Sequence, residues 1–169
     1  LRSLKVEKNL SPSSIKHRIQ ALSRAIDEYL RHNVNVKISN PVKLLPKGGE
    51  AAEIGVAEGV FARHILRTVA PERYHLIDPW EHQAREDYKT DAYGNVSTDE
   101  QESRFKAVSA AFAAEVQSGQ VALHRAYSSD AAPLIDDGSL DWVYLDGLHS
   151  EAGVAADLRD YSPKVKQDG

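Results

Sequence analysis

Neither cysteine nor methionine occurs in the 169 residues. Without cysteine there is no disulfide and no thiolate metal site, a composition that suits a reducing cytoplasm. Without methionine, and with Leu1 at its start, the sequence reads as a piece of a longer product. No apolar run approaches the roughly 20 residues that a membrane-spanning helix needs, and no basic-then-apolar leader opens the chain. A cytoplasmic protein without membrane contact is therefore expected.

Acidic residues are scarce at one end only. Residues 1–47 hold ten basic side chains against three acidic ones, a balance of +7, whereas residues 48–169 hold 11 of the chain's 21 basic and 22 of its 25 acidic residues, or −11. This asymmetry divides the sequence into a basic segment, 1–47, and an acidic domain, 48–169, with different partners or docked on each other.

In the basic segment Ser11 is placed to cap a helix and Pro12 fits its first position. Ile15, Ile19, Leu22, Ile26, Tyr29 and Leu30 recur at three- and four-residue spacing, an apolar stripe opposite Lys16, Arg24 and Arg31. Val34–Ile38 reads as a short strand closed by Asn40-Pro41. Leu10-Ser11-Pro12-Ser13-Ser14-Ile15, Arg18, Leu22-Ser23-Arg24-Ala25 and Asn40-Pro41-Val42 together resemble part of the core-binding domain of phage-type tyrosine recombinases. That resemblance implies DNA contact through the basic residues.

From Glu50 onward strand and helix patterns alternate, which predicts an α/β fold with a Rossmann-like parallel sheet. Ala51–Val56 is a continuous small or apolar run, as in a strand buried on both faces. Val60, Phe61, Ile65, Leu66 and Val69 give the following helix its inner face, and Pro71 stops it. A second strand ends at Asp78. The polar stretch 81–96 is long for a connection and reads as a lid, a substrate wall or a solvated insertion. Thr98 and Gln101 suggest a capping box for a helix turning Phe105, Val108, Phe112 and Val116 inward, with Gly119 as its stop. Val121–Leu123 makes a third strand and a fourth ends at Asp146. Ser150 then caps a helix that Ser162-Pro163 terminates.

The first strand opens into a glycine turn, but the turn lacks a dinucleotide fingerprint. Gly-x-Gly-x-x-Gly would need glycine where Ala57 and Val60 stand, which disfavours a nicotinamide oxidoreductase. Instead Glu53-x-Gly55-x-Ala57-x-Gly59 combines small residues with an acid inside the strand, a pattern suited to a cationic or hydroxyl-rich ligand. Ala52–Gly59, His75-Leu76-Ile77-Asp78-Pro79-Trp80, Leu145-Asp146-Gly147-Leu148-His149-Ser150 and Val154-Ala155-Ala156-Asp157-Leu158 leading into Pro163–Lys166 carry a second resemblance. In that order and spacing, residues from about 45 to 169 resemble a class I S-adenosylmethionine-dependent methyltransferase, of the small-molecule O-methyltransferase type with an Asp-x-x-His element.

The resemblance implies strand order 3-2-1-4, with later strands missing after Gly169. The Trp142-Val143-Tyr144 edge would then be open, favouring a homo-oligomer. It also implies S-adenosylmethionine as cofactor, a hydroxylated small molecule as methyl acceptor, and magnesium held by Asp146 with ligands from beyond Gly169. Asp78 is expected at the ribose diol, or else as a cap for the following loop. Gly55 and Gly59 permit close backbone approach by the cofactor, or serve as plain turn residues. Glu53 holds the turn or faces the cofactor's amine. Ser128 and Ser129 meet the adenine or cap a helix, and Trp80 walls the adenosine or packs in the core. Asp146 and His149 form the catalytic pair, with His149 as general base given histidine's ordinary pKa of about 6.5, or as a helix cap. The competing reading is a nonenzymatic binding module whose basic N-terminal helix contacts DNA.

Overall fold

The computed structural model describes residues 42, 45–88 and 94–167. The basic helix from Ser11, the strand at 34–38 and the DNA contacts expected of them lie outside these residues.

Four parallel strands form one sheet in the order β3-β2-β1-β4: β1 Glu50–Ile54, β2 Arg73–Asp78, β3 Val121–Arg125 and β4 Trp142–Leu145. Ala52 lies opposite His75 on one side and Val143 on the other, so β1 is central. This is the expected α/β Rossmann-like fold and strand order. Between β3 and β4 the chain crosses to the far side of β1, so the strand order reverses there. Open sheets of this kind bind ligands outside the carboxyl ends of the strands at such a point.

Because side chains alternate across a strand, β1 sends Ala51 into one core and Ala52 and Ile54 into the other. The first core gathers Ala62, Ile65, Tyr74, Leu76, Trp80, Val108, Phe112 and Trp142 under helices α1 (Val60–Thr68) and α2 (Thr98–Ala111). The second joins Ile77, Ala131, Ile135, Leu140 and Tyr161. Its helices are the short α4 (Ser128–Ala131) and α5 (Glu151–Tyr161). A further short helix, α3 (Ala113–Ser118), ends at Gly119, whose φ of 81° gives the expected stop.

Three local expectations need correction. Ser97, not Thr98, caps α2 by accepting from the Glu100 N–H, while Gln101 is buried and donates back to the Gly94 carbonyl at 2.7 Å. Ser97/Thr98 and Glu100/Gln101 offer the same spacing twice, and the loop's need for a donor decides between them. The long helix breaks at Phe112, so Val116 loses the phase of Val108 and is exposed. Val60 at the start of α1 also points outward, leaving Ala62, Ile65 and Val69 as the buried set.

The edge formed by β4 is less apolar than its sequence. Trp142 is buried against Tyr74, and Tyr144 stacks on Phe61 with centroids 4.3 Å apart. Leu140 bridges to Val165, closing the strand's approach.

Candidate active-site cleft

At the carboxyl end of β1 the chain turns through Gly55, whose φ is 87°. A Cβ there would come within 2.8 Å of Gly147 N and closer still to the Asp146 carbonyl. Glycine is therefore required by the passage of the β4 backbone, before any ligand is considered. Ala57 follows at φ 49°, a conformation a residue with a Cβ adopts at a penalty of roughly 1–2 kcal/mol.

Asp78 holds that strained turn. Its Oδ2 accepts the N–H groups of Val56 and Ala57, both at 3.0 Å, and its Oδ1 accepts Trp80 N–H at 2.7 Å. Trp80, itself at φ 43° and fully buried, donates its indole N–H to the Ala57 carbonyl at 2.9 Å. It is thus a packing residue that clamps the turn, and does not wall the cleft. Burial lifts the Asp78 carboxyl above its ordinary range, opposed by the three backbone donors and by Arg104. With three N–H groups aimed at it, the ionised form is the one the turn is built around.

Glu53 lies beneath this turn, 1% exposed, and accepts the Tyr74 hydroxyl at 2.6 Å. Burial pushes its carboxyl up to about 8; the Tyr74 bond opposes the rise, and the charges of Asp146 and Asp78 add to it.

Above the strand ends lies a cleft of about 520 Å³, a size suited to a nucleoside-bearing ligand. Of the expected site residues, Gly55, Asp78, Ser128, Ser129, Asp146 and His149 all line it. Glu53 and Gly59 do not. Gly59, at φ 68°, starts α1 and packs against Phe112, where a Cβ would approach the ring to 2.9 Å. Ser128 does not cap α4; its hydroxyl donates to Asp157 Oδ1 at 2.6 Å. Ser150, not His149, caps α5, and His149 Nε2 stands 3.9 Å from Asp146 Oδ1, both side chains partly exposed.

Several lining residues escaped the sequence reading. Asn95 acts as a peptide mimic, accepting Gln83 N–H at 2.7 Å and donating to the Gln83 carbonyl at 2.9 Å. Gln83 donates to the Tyr127 hydroxyl at 2.8 Å, which in turn donates to Glu81 at 3.1 Å. Thus the described residues of the polar stretch after β2 form a cross-linked wall of the cleft. Asp157 is the other omission. Its signal was present, since an acid in the middle of the Val154-Asp157-Tyr161 stripe must find a buried donor.

The donor set decides which groups fit. The amides of Val56 and Ala57, which a diphosphate would need, are committed to a carboxylate, while the cleft is lined by Asp78, Glu81, Asp146, Asp157 and Asp160 against Arg85 and Arg159, an excess of acid. This fits a nucleoside carrying a positive charge. Magnesium is different: among the described residues no three histidine, aspartate or glutamate side chains converge to hold a metal ion. Nor, among them, is any helix long and apolar enough to cross a membrane.

Residues 52–169 match a family model described as a methyltransferase domain. No curated protein matches the chain. Among solved structures it is similar to spermidine synthase from Thermotoga maritima, with 14% identity, 83% of this chain and 42% of that one covered, and a TM-score of 0.48. It is also similar to a spermidine synthase in complex with the transition state analogue AdoDATO, with 14% identity, coverage of 82% and 40%, and a TM-score of 0.47. The chain thus spans about four-tenths of the length of these solved proteins. The family match begins within β1 and takes in β2, β3, β4 and every residue that lines the cleft, and the chain belongs to the methyltransferase-domain family.

Proposed function

We propose that this chain is the cofactor-binding part of an S-adenosylmethionine-dependent methyltransferase that methylates a hydroxyl of a small molecule. The observation that carries the reading is the engagement of the Val56 and Ala57 amides by Asp78, which turns a potential anion cradle into an acid-walled seat. Gly55 and Ala57 give the ligand close access to the backbone, Asp78 and Glu81 offer acceptors to ribose hydroxyls, and Ser128 and Ser129 flank the base.

The cofactor, when bound, supplies a methyl group on a positively charged sulfur. Gly55, Asp78, Ser128 and Ser129 would hold that group, and transfer of the methyl to an acceptor oxygen would leave the sulfur as a neutral thioether. Alignment of the two reactants accounts for up to roughly 7–11 kcal/mol of such a barrier. His149 takes the hydroxyl proton, and Asp146, 3.9 Å away, stabilises the imidazolium that results. The neighbouring acids also favour the cationic ligand over its neutral product. No step here runs through magnesium, because the described residues do not assemble a site for it.

Calorimetry with S-adenosylhomocysteine and NAD, run in parallel, tests the reading. Binding of the first and not the second is expected; the reverse would overturn it.

A further inference from the structure

The Glu53 carboxyl is buried without a counter-charge. Among the described residues it bonds to one partner, the fully buried Tyr74 hydroxyl at 2.6 Å, and pairs with no base. Side chains alternate along β1, so Glu53 faces the first core, as Ala51 does. From β2 it meets Tyr74 and Asp78, and from β4 and its end Tyr144 and Asp146; α1, over that face, brings Phe61, Ala62 and Ile65. Ionising Glu53 there costs desolvation and repulsion by two carboxylates together.

Its contact with Tyr74 does not depend on its charge. A phenol O–H donates to a carboxylate, and a phenol oxygen accepts from a carboxylic acid. Glu53 can therefore gain or lose a proton and keep its hydrogen bond. It does not line the cleft, but Ile54 and Gly55, next in the chain, do, as do Asp78 and Asp146. A cation seated among those acids acts on Glu53 as they do, with opposite sign, and favours its ionised form; a neutral ligand does not. By linkage, a ligand that favours the ionised form expels the proton, and binds more tightly where the proton has already left.

We propose that Glu53 is a specificity-determining residue that separates the cationic cofactor from its neutral product through a proton. As the sulfonium enters the cleft, the Glu53 carboxyl releases a proton to solvent; when methyl transfer leaves a neutral thioether, the carboxyl takes a proton back. The inference rests on the cofactor reading given above.

Calorimetry in two buffers of different ionisation heat counts the protons exchanged on binding. S-adenosylmethionine and S-adenosylhomocysteine are compared between about pH 6 and about pH 8.5, a range that brackets the titration of the buried carboxyl at about 8. The amine and carboxylate that both ligands carry cancel in the comparison. The unaltered chain is expected to release more protons with the methylated ligand, the difference approaching about one near neutral pH. Its preference for that ligand should rise with pH, by about tenfold for each unit that the sulfonium moves the Glu53 titration. Glu53→Gln keeps an acceptor for Tyr74, and should abolish the difference in protons and make the preference independent of pH. Loss of a merely structural group would alter both affinities and leave the proton difference in place. Should Glu53→Gln fail to fold, Tyr74→Phe decides: without the phenol donor the ionised form loses support, and the rise in preference should move to higher pH. Equal proton release with the two ligands overturns the inference, as does a difference that survives in Glu53→Gln or a rise that Tyr74→Phe does not move. If the unaltered chain binds neither ligand, the cofactor reading itself falls and takes this inference with it.

Discussion

The two ends of the sheet handle buried charge in opposite ways. At the amino end acids meet bases: Glu50 Oε1 stands 2.7 Å from His75 Nε2 and 3.8 Å from Arg73 Nε, and Asp141 takes Lys166 Nζ at 2.7 Å. At the carboxyl end the buried acids take their hydrogen bonds from neutral donors, a phenol for Glu53, three backbone amides for Asp78 and a hydroxyl for Asp157, while the ion pair of Arg125 with Glu102 stands at the exposed rim. Neutral donors satisfy hydrogen bonding without cancelling charge. Negative charge from Asp78, Asp146 and Asp157 therefore remains beside the cleft; the Glu53 carboxyl beneath it is raised chiefly by burial, to which Asp146 and Asp78 add. One end is closed on itself and serves stability; the other keeps an unbalanced charge that a cationic ligand can answer.

Breaking the carboxyl end should have the largest effect. Gly55→Ala places a Cβ against the Asp146–Gly147 backbone at φ 87° and is expected to remove about 5 kcal/mol or more, most of a small domain's stability. Gly138→Ala, at φ 68° with nothing within 4 Å, should lose only about 1–2 kcal/mol. Urea unfolding of the two variants measures the difference, and equal losses would show that β4 does not crowd the turn. Next comes Glu53, whose carboxyl is held at about 8 instead of its ordinary 4.5. The folded state then keeps a proton that the unfolded chain releases, so stability is full below about pH 4.5 and declines as pH rises to about 8. The decline amounts to roughly 4–5 kcal/mol at about 1.4 kcal/mol per pH unit. Glu53→Gln should flatten that limb and exceed the unaltered chain in stability at pH 9. A limb that persists in the variant would place the titration elsewhere.

How legible these features were depended on the range of the interactions that make them. The sheet could be read because each strand is a local apolar run and the glycine turn a local departure from it; the strand order came from the resemblance. Asp78, Asp146 and the serines reach the cleft because each lies at or just past the carboxyl end of a strand, and the fold brings those ends together. Asn95 and Gln83 were not, because two polar residues 12 apart in a loop carry no mark of pairing. Two readings stayed open for Ser128 and for Trp80 for a related reason. Each looks locally like a cap or a wall, and only contacts 29 and 23 residues away fix what its polar atom does.

Asp78→Ala probes the carboxyl end more gently. Three N–H groups lose their acceptor, and a stability loss of about 3 kcal/mol is expected, at roughly 1 kcal/mol or more for each. S-adenosylhomocysteine affinity should fall as well, by roughly 1.5–3 kcal/mol if the carboxylate also meets the ribose. Calorimetry below the variant's melting range separates the two effects, and unchanged affinity would leave Asp78 as a clamp of the turn alone.

The smallest effect belongs to the histidine pair that reaches from Glu50 at the amino end across to β3. His75 Nδ1 and His124 Nε2 lie 3.0 Å apart with stacked rings, and burial lowers both histidines below their ordinary value. For His75 the Glu50 bond opposes that lowering and Arg73 adds to it; for His124 the neighbouring His75 and Arg73 add to it. The groups facing the pair are thus one acid and one base, and a second proton on the rings would meet its own kind across 3.0 Å. With folded values below the unfolded one, the unfolded chain binds more protons in acid, so this contribution is intact above about pH 6.5 and is lost as pH falls. His124→Gln keeps a donor for His75 Nδ1 and removes one titrating ring. It should leave stability near pH 7 within about 1 kcal/mol of the unaltered chain and soften the acid decline below about pH 6. Combined with Glu53→Gln, it should widen the pH range of stability from both sides, each change acting on its own limb because one group must stay protonated and the others must stay neutral.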